Sequence, residues 1–235
     1  MKRLIIFFIL SHIISFSQEG ALDYLYPNEK LVLKYQDDWG RNNYKKVIKE
    51  FKKHPLNFGD IVFLGNSITA EGKDWSKRLS YPNIKNRGIG GDVTEGVLAR
   101  IDEITYFKPK AVFLLIGIND LWNNTPNVPS VEYISSNIIK ISNVINKISP
   151  NTKIYIQTIL PVEKEVYKEK IISINSILKQ AQNKNPYKII DLYSVFVNDQ
   201  GTIKSELSTD GVHLSEKGYD IWTKFIKPTI LSMKQ

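Results

Sequence analysis

Five short apolar runs, each followed by a stretch of helical spacing, set the terms for what this chain can fold into. They are Ile61-Val62-Phe63-Leu64, the run that Ile84 leads into Gly88, Ala111 to Ile116, Lys153 to Ile159 and Lys188 to Leu192. They are rich in β-branched residues and lack polar/apolar alternation, as strands covered on both faces do. Helical patterning runs from Trp75 to Leu79, Thr94 to Phe107, Val131 to Ile148, Glu165 to Ala181 and Ser215 to Leu231. An earlier helix is expected from Tyr44 to Phe51, where Val47, Ile48 and Phe51 share one face. This βαβ punctuation predicts an α/β fold, a mostly parallel sheet between helical layers with right-handed crossovers. No repeat or Pro/Gly/Ser linker divides the chain, so one domain is expected.

With 235 residues and 42% hydrophobic composition, the chain can bury a large core without covalent staples. It has no cysteine, which removes disulfides, zinc ribbons, iron–sulfur clusters and thiol nucleophiles. The histidines are His12, His54 and His213. A neutral-pH proton shuttle therefore has few candidates.

The first residues read as a targeting signal. Met1-Lys2-Arg3 is a short basic region, Leu4 to Ile14 is almost wholly apolar, and Ser15-Phe16-Ser17 offers small residues for cleavage. About eleven apolar residues are too few to span a bilayer as a helix. A signal peptide at 1–17 and an exported domain at 18–235, periplasmic or extracellular without stable membrane insertion, are expected. The formal net charge of +8 favours acidic partners, an acidic glycan ester among them. Nucleic acid is not expected. The lysines, such as Lys45-Lys46, Lys49 and Lys52-Lys53, interleave with glutamates on helix faces, and no helix-turn-helix or RNA-binding signature is present.

Parallel α/β sheets place working groups beyond the carboxyl ends of their strands. The first run ends in Gly65-Asn66-Ser67-Ile68-Thr69, the second in Asn86-Arg87-Gly88-Ile89-Gly90-Gly91-Asp92 and the third in Gly117-Ile118-Asn119-Asp120. Asp210-Gly211-Val212-His213 precedes the last helix, which Ser215 caps. A serine hydroxyl needs a base to take its proton, and His213 is a better candidate than His54, which sits in a basic loop. Asp210, three residues before His213, can hold the imidazole tautomer. Backbone N–H groups of Ser67 and of Gly91 or Gly90, with the Asn119 amide, can meet a developing oxyanion. Singly, each has a plainer use: Ser67 as a helix cap, Gly90-Gly91 as a turn, Asn119-Asp120 as an Asx turn, His213 as a packed histidine. Together, at the ends of adjacent elements, they describe one site.

Other motifs fail on spacing. Six residues separate Gly65 from Gly72-Lys73 where a phosphate loop has four, Val93 holds the third glycine position of a dinucleotide fingerprint, and Thr69 ends what would be a Gly-x-Ser-x-Gly elbow. Neither a cofactor nor a metal is implied.

The four segments, in this order, resemble the signature blocks of the SGNH/GDSL hydrolase superfamily, from about Asp60 to the C-terminal helix. The likeness is greatest to the branch of platelet-activating-factor acetylhydrolase-like and carbohydrate (sialate) O-acetylesterase proteins. That resemblance implies a flavodoxin-like three-layer α/β/α sandwich with a five-stranded parallel sheet, and ester hydrolysis through an acyl-enzyme. It makes Ser67 the nucleophile, Asp210 and His213 its triad partners, and Ser67, Gly91 and Asn119 the oxyanion donors. Asn66 stands where the family usually has Asp. Trp122, with the loop Asn123–Ser130, is expected at the cleft rim against a sugar, and Arg87 beside an acidic substrate group. The expected activity is removal of a short acyl group, acetyl above all, from a carbohydrate. A lysophospholipase or thioesterase taking longer acyl chains, or a non-catalytic glycan-binding module, are the competing expectations.

Overall fold

The computed structural model describes residues 22–122 and 128–233; the expected signal segment 1–17 with His12, and residues 123–127 of the loop after Trp122, lie outside them. The first helix, α1 (Asp38–Lys53), starts where Asp37 Oδ1 accepts the Gly40 N–H at 2.7 Å. This side-chain cap sets the start several residues before the apolar spacing suggests. The elements that follow are β1 (Ile61–Gly65), α2 (Ser67–Ala70), α3 (Trp75–Leu79) and β2 (Ile84–Gly88). Next come α4 (Thr94–Ala99), α5 (Ile101–Phe107), β3 (Ala111–Leu115), α6 (Ile118–Leu121) and α7 (Val131–Ile148). The chain continues through β4 (Lys153–Gln157), α8 (Lys168–Ala181), β5 (Lys188–Ile190), α9 (Leu192–Phe196) and α10 (Glu216–Leu231). One long helix was expected over 94–107; the chain breaks at Arg100, whose backbone (φ −114°, ψ 21°) leaves the helical region.

The five strands are parallel in the order β2-β1-β3-β4-β5, a flavodoxin-like sheet with its switch point between β1 and β3. β1 and β3 are buried at every residue, which explains their lack of alternation. On one face, register aligns Phe63, Phe113 and Tyr155 across β1, β3 and β4. Their rings stack at centroid distances of 5.0 and 4.8 Å. Trp75 of α3 stacks on Phe63 at 4.3 Å and Trp222 of α10 meets Trp75 edge-on at 4.8 Å. This aromatic layer fastens the last helix over the strand that delivers Ser67. The loop before that helix is thereby held above the same sheet edge. Among the described residues, no helix is long and apolar enough to cross a membrane.

Candidate active site

β1 ends at Gly65 and turns at once into α2, whose first residue is Ser67. Asn66 caps the turn, its Oδ1 accepting the Ile68 N–H at 3.1 Å. The end of β2 presses on the same turn: a Cβ at Gly88 would lie 2.2 Å from the Ala70 nitrogen, so only glycine fits. Asn86 stitches the two together. Its Nδ2 donates to the carbonyls of Thr69, Ala70 and Lys73, and its Oδ1 accepts the Gly88 N–H.

The loop carrying His213 is a closed hairpin. Ser208 and Leu214 form an antiparallel bridge, and the Thr209 N–H and Ser208 Oγ donate to the His213 carbonyl at 2.9 and 2.7 Å. Gly211 takes φ +83°, and its carbonyl accepts the Glu163 N–H at 2.8 Å. Asp210 Oδ1 accepts the N–H groups of Val212 and His213, while Oδ2 lies 2.7 Å from His213 Nδ1. Across the ring, Nε2 lies 2.9 Å from Ser67 Oγ. With the proton on Nδ1, the imidazole donates to Asp210 and accepts from the serine hydroxyl. Partial burial pushes the Asp210 carboxyl up, but hydrogen bonds from the His213 ring, the His213 N–H and the Val212 N–H outweigh it and leave the pKa below the ordinary value. Glu71, one turn beyond Ser67, brings Oε1 to 3.7 Å from Nε2.

After β2, residues 89–92 form a turn closed by the Asp92 N–H to the Ile89 carbonyl at 3.1 Å. Gly91 occupies its third position with φ +76°, whereas Gly90 is not at positive φ, the pattern of a type II turn. Two side chains from before β1 hold this turn: Asn43 Nδ2 donates to the Gly90 carbonyl at 2.9 Å and Gln36 Nε2 to that of Gly91 at 3.1 Å. After β3, Asn119 Nδ2 donates to the Asp92 carbonyl at 2.9 Å. One of its two N–H bonds is so committed, and the other has no partner among the described residues. Asp120 points into the protein, where the Thr94 N–H and hydroxyl donate to it. Burial pushes its carboxyl up to about 7 against those donors. Gly91, Asn119 and Trp122 line a cleft of about 40 Å³ with Tyr35, Gln36, Asp37 and Val93. Among the described residues, no three histidine, aspartate or glutamate side chains cluster as a metal ion would require.

The sequence pattern of the GDSL-like Lipase/Acylhydrolase family matches residues 63–221, which spans Ser67, the glycine turn, Asn119, Asp210 and His213. The chain belongs to that family. Among relatives of this GDSL-like acylhydrolase, platelet-activating factor acetylhydrolase IB subunit alpha1 of Rattus norvegicus is 27% identical over 189 residues, covering 77% of each chain. Subunit alpha2 of the same animal is 28% identical over 200 residues, covering 82% of each. A GDSL-like lipase of Bacteroides thetaiotaomicron superposes with a TM-score of 0.69 at 25% identity, over 81% of this chain and 98% of that one.

Two sequence expectations for the acylhydrolase need revision. Arg87 does not face substrate: it is 5% exposed, donates Nε and Nη2 to Glu103 at 3.0 and 2.8 Å and Nη2 to the His54 carbonyl at 2.7 Å. Its guanidinium also lies 4.4 Å over the Phe51 ring. Buried with these bonds made inside the protein, it offers an acidic substrate group no access. Trp122 does line the cleft, but its ring already stacks on Tyr167 at 4.8 Å and carries the Lys164 ammonium at 4.3 Å. A sugar face would have to displace one of these contacts. Sequence reasoning missed Gln36, Asn43, Glu71 and Arg100, whose relation to the site depends on contacts distant in the chain.

Proposed function

We propose that this GDSL-like acylhydrolase is an exported serine esterase, one domain over residues 18–235 after removal of 1–17, that takes a short acyl group from a carbohydrate hydroxyl. The observation that carries it is the unbroken chain from Ser67 Oγ to His213 Nε2 at 2.9 Å and from His213 Nδ1 to Asp210 at 2.7 Å. Ser67 is the nucleophile: as its oxygen bonds to the ester carbonyl carbon, Nε2 of His213 takes the hydroxyl proton. Asp210 fixes the tautomer and stabilises the imidazolium. The N–H groups of Ser67 and Gly91 and the second N–H of Asn119 receive the carbonyl oxygen as it becomes negative, each worth about 3–4 kcal/mol to the barrier. The sugar oxygen then leaves with the proton from His213, and water attacks the acyl-serine by the same route.

Acetyl is the expected acyl group, since both rat relatives carry the name acetylhydrolase. With Arg87 buried and the Glu71 carboxylate 3.7 Å from Nε2, a neutral sugar hydroxyl suits the departing side better than an acidic one. The test is acetate release from O-acetylated xylan, pectin and sialic acid fragments, beside nitrophenyl esters of rising chain length. Wild type should favour acetyl esters of neutral sugars and lose activity beyond butyrate, and Ser67→Ala should release nothing. Equal release by both proteins would end the proposal; preference for long chains would move it to a lysophospholipase or thioesterase.

A further inference from the structure

Three of the four motif segments converge on a buried ion pair that takes no part in the steps above. Arg100, at the break between α4 and α5 and 3% exposed, donates Nε and Nη2 to Asp92 Oδ2 at 3.0 and 2.8 Å. The same Nη2 donates to the Gly65 carbonyl at 3.1 Å, two residues before Ser67. That carbonyl also accepts the Ile89 N–H, from the start of the glycine turn, at 3.0 Å. Asp92 is fully buried and directly follows Gly91, and its own carbonyl accepts Asn119 Nδ2 at 2.9 Å. One guanidinium therefore binds the end of β1 and the residue after Gly91, and that residue in turn holds the Asn119 amide.

An oxyanion hole needs each donor held to within about half an ångström of its productive position, and here each donor rests on a different strand end. We infer that Asp92 and Arg100 are positioning residues that hold the donors of Ser67, Gly91 and Asn119 in register. The inference rests on the serine-esterase reading of the same site. A pair that merely filled the interior could be replaced by apolar side chains of like volume at little cost; it would not need the third bond to Gly65, nor to place the Asp92 carbonyl beneath Asn119. Lysine at position 100 would keep the charge but lacks the planar fork that reaches Asp92 and Gly65 together.

The experiment compares wild type, the single variants Asp92→Asn and Arg100→Gln, their double variant and Arg100→Lys on nitrophenyl acetate, with kcat taken per serine titrated by a fluorophosphonate. The double variant leaves no isolated buried charge, so its melting temperature should recover most of what either single neutralisation loses. Its kcat per titrated serine should still fall by ~10- to 100-fold, with KM and the acid limb of the pH profile unchanged. Arg100→Lys should fall between the two while melting close to wild type, and it carries the test alone if the double variant does not fold. A return of kcat to the wild-type value together with the melting temperature would overturn the positioning role and leave a purely structural pair. Wild type that neither labels at Ser67 nor turns over the ester would instead remove the serine-esterase reading, and this inference with it.

Discussion

His213 Nε2 and Ser67 Oγ lie 2.9 Å apart although 146 positions separate the two residues in the chain. The contact is set by two elements that the aromatic layer of Phe63, Trp75 and Trp222 clamps to one another, so neither residue has to travel to meet the other. Asp210 reaches the opposite edge of the ring through a loop that holds the carboxylate by two backbone N–H groups as well. Replacing Asp210 with Asn should lower kcat by ~10,000-fold, because the ring loses both the tautomer that accepts the serine proton and the stabilisation of its charged form. The loop retains an acceptor for the N–H groups, so the melting temperature should change by only a few degrees. Steady-state kinetics on nitrophenyl acetate beside thermal melts checks this.

His213→Ala should lower kcat on nitrophenyl acetate by ~10⁶-fold, since the serine hydroxyl then has no imidazole to take its proton; a kcat within about tenfold of wild type would remove His213 from the proposed mechanism.

Asp120 makes stability depend on pH. Burial holds its folded pKa at about 7, above the ordinary carboxylate value of 3.8. Between those values the folded state binds the extra proton, so the contribution of this group to stability declines as pH rises from about 4 to 7. Asp120→Asn keeps an oxygen for Thr94 and does not titrate. Its melting temperature relative to wild type should therefore climb between pH 5 and pH 8. Parallel curves for the two proteins would rule this out.

Arg87→Ala should destabilise the fold by about 3–5 kcal/mol, because Glu103 is left buried without its partner. Denaturant unfolding measures the loss. The KM ratio between acidic and neutral acetylated sugars should not move in whatever fraction folds, since the guanidinium does not reach the cleft.

Asn66→Ala should cost about 1 kcal/mol by removing the acceptor for the Ile68 N–H at the start of α2. Because that cap orients the turn that carries Ser67, kcat should fall as well, and a variant that loses stability with kcat intact would separate the two effects.

The strands were legible because β1 and β3 are buried on both faces, and that burial writes itself into uninterrupted runs such as Ile61 to Leu64. The site motifs were legible for a related reason: three of the four lie within a few residues of a strand end, and the fourth, Asp210 to His213, directly precedes the last helix. Arg87 misled because a cation beside a glycine loop looks solvent-facing, while its partner Glu103 lies 16 positions away on another element. Arg100 gave no local signal of its own, since an arginine amid helical spacing reads as an exposed face and no Gly or Pro announced the break there. The start of α1 was hidden in the same way, the cap at Asp37 depending on a bond to Gly40 and not on apolar spacing.

Gln36 and Asn43, which grip the carbonyls of Gly91 and Gly90, lie ahead of residue 63, where the family pattern begins. A fragment trimmed to that pattern would keep every signature residue and yet strip the glycine turn of its outer brace. The smallest working unit of this hydrolase is thus expected to be longer than its motifs, with the leading arm kept as the brace of the glycine turn.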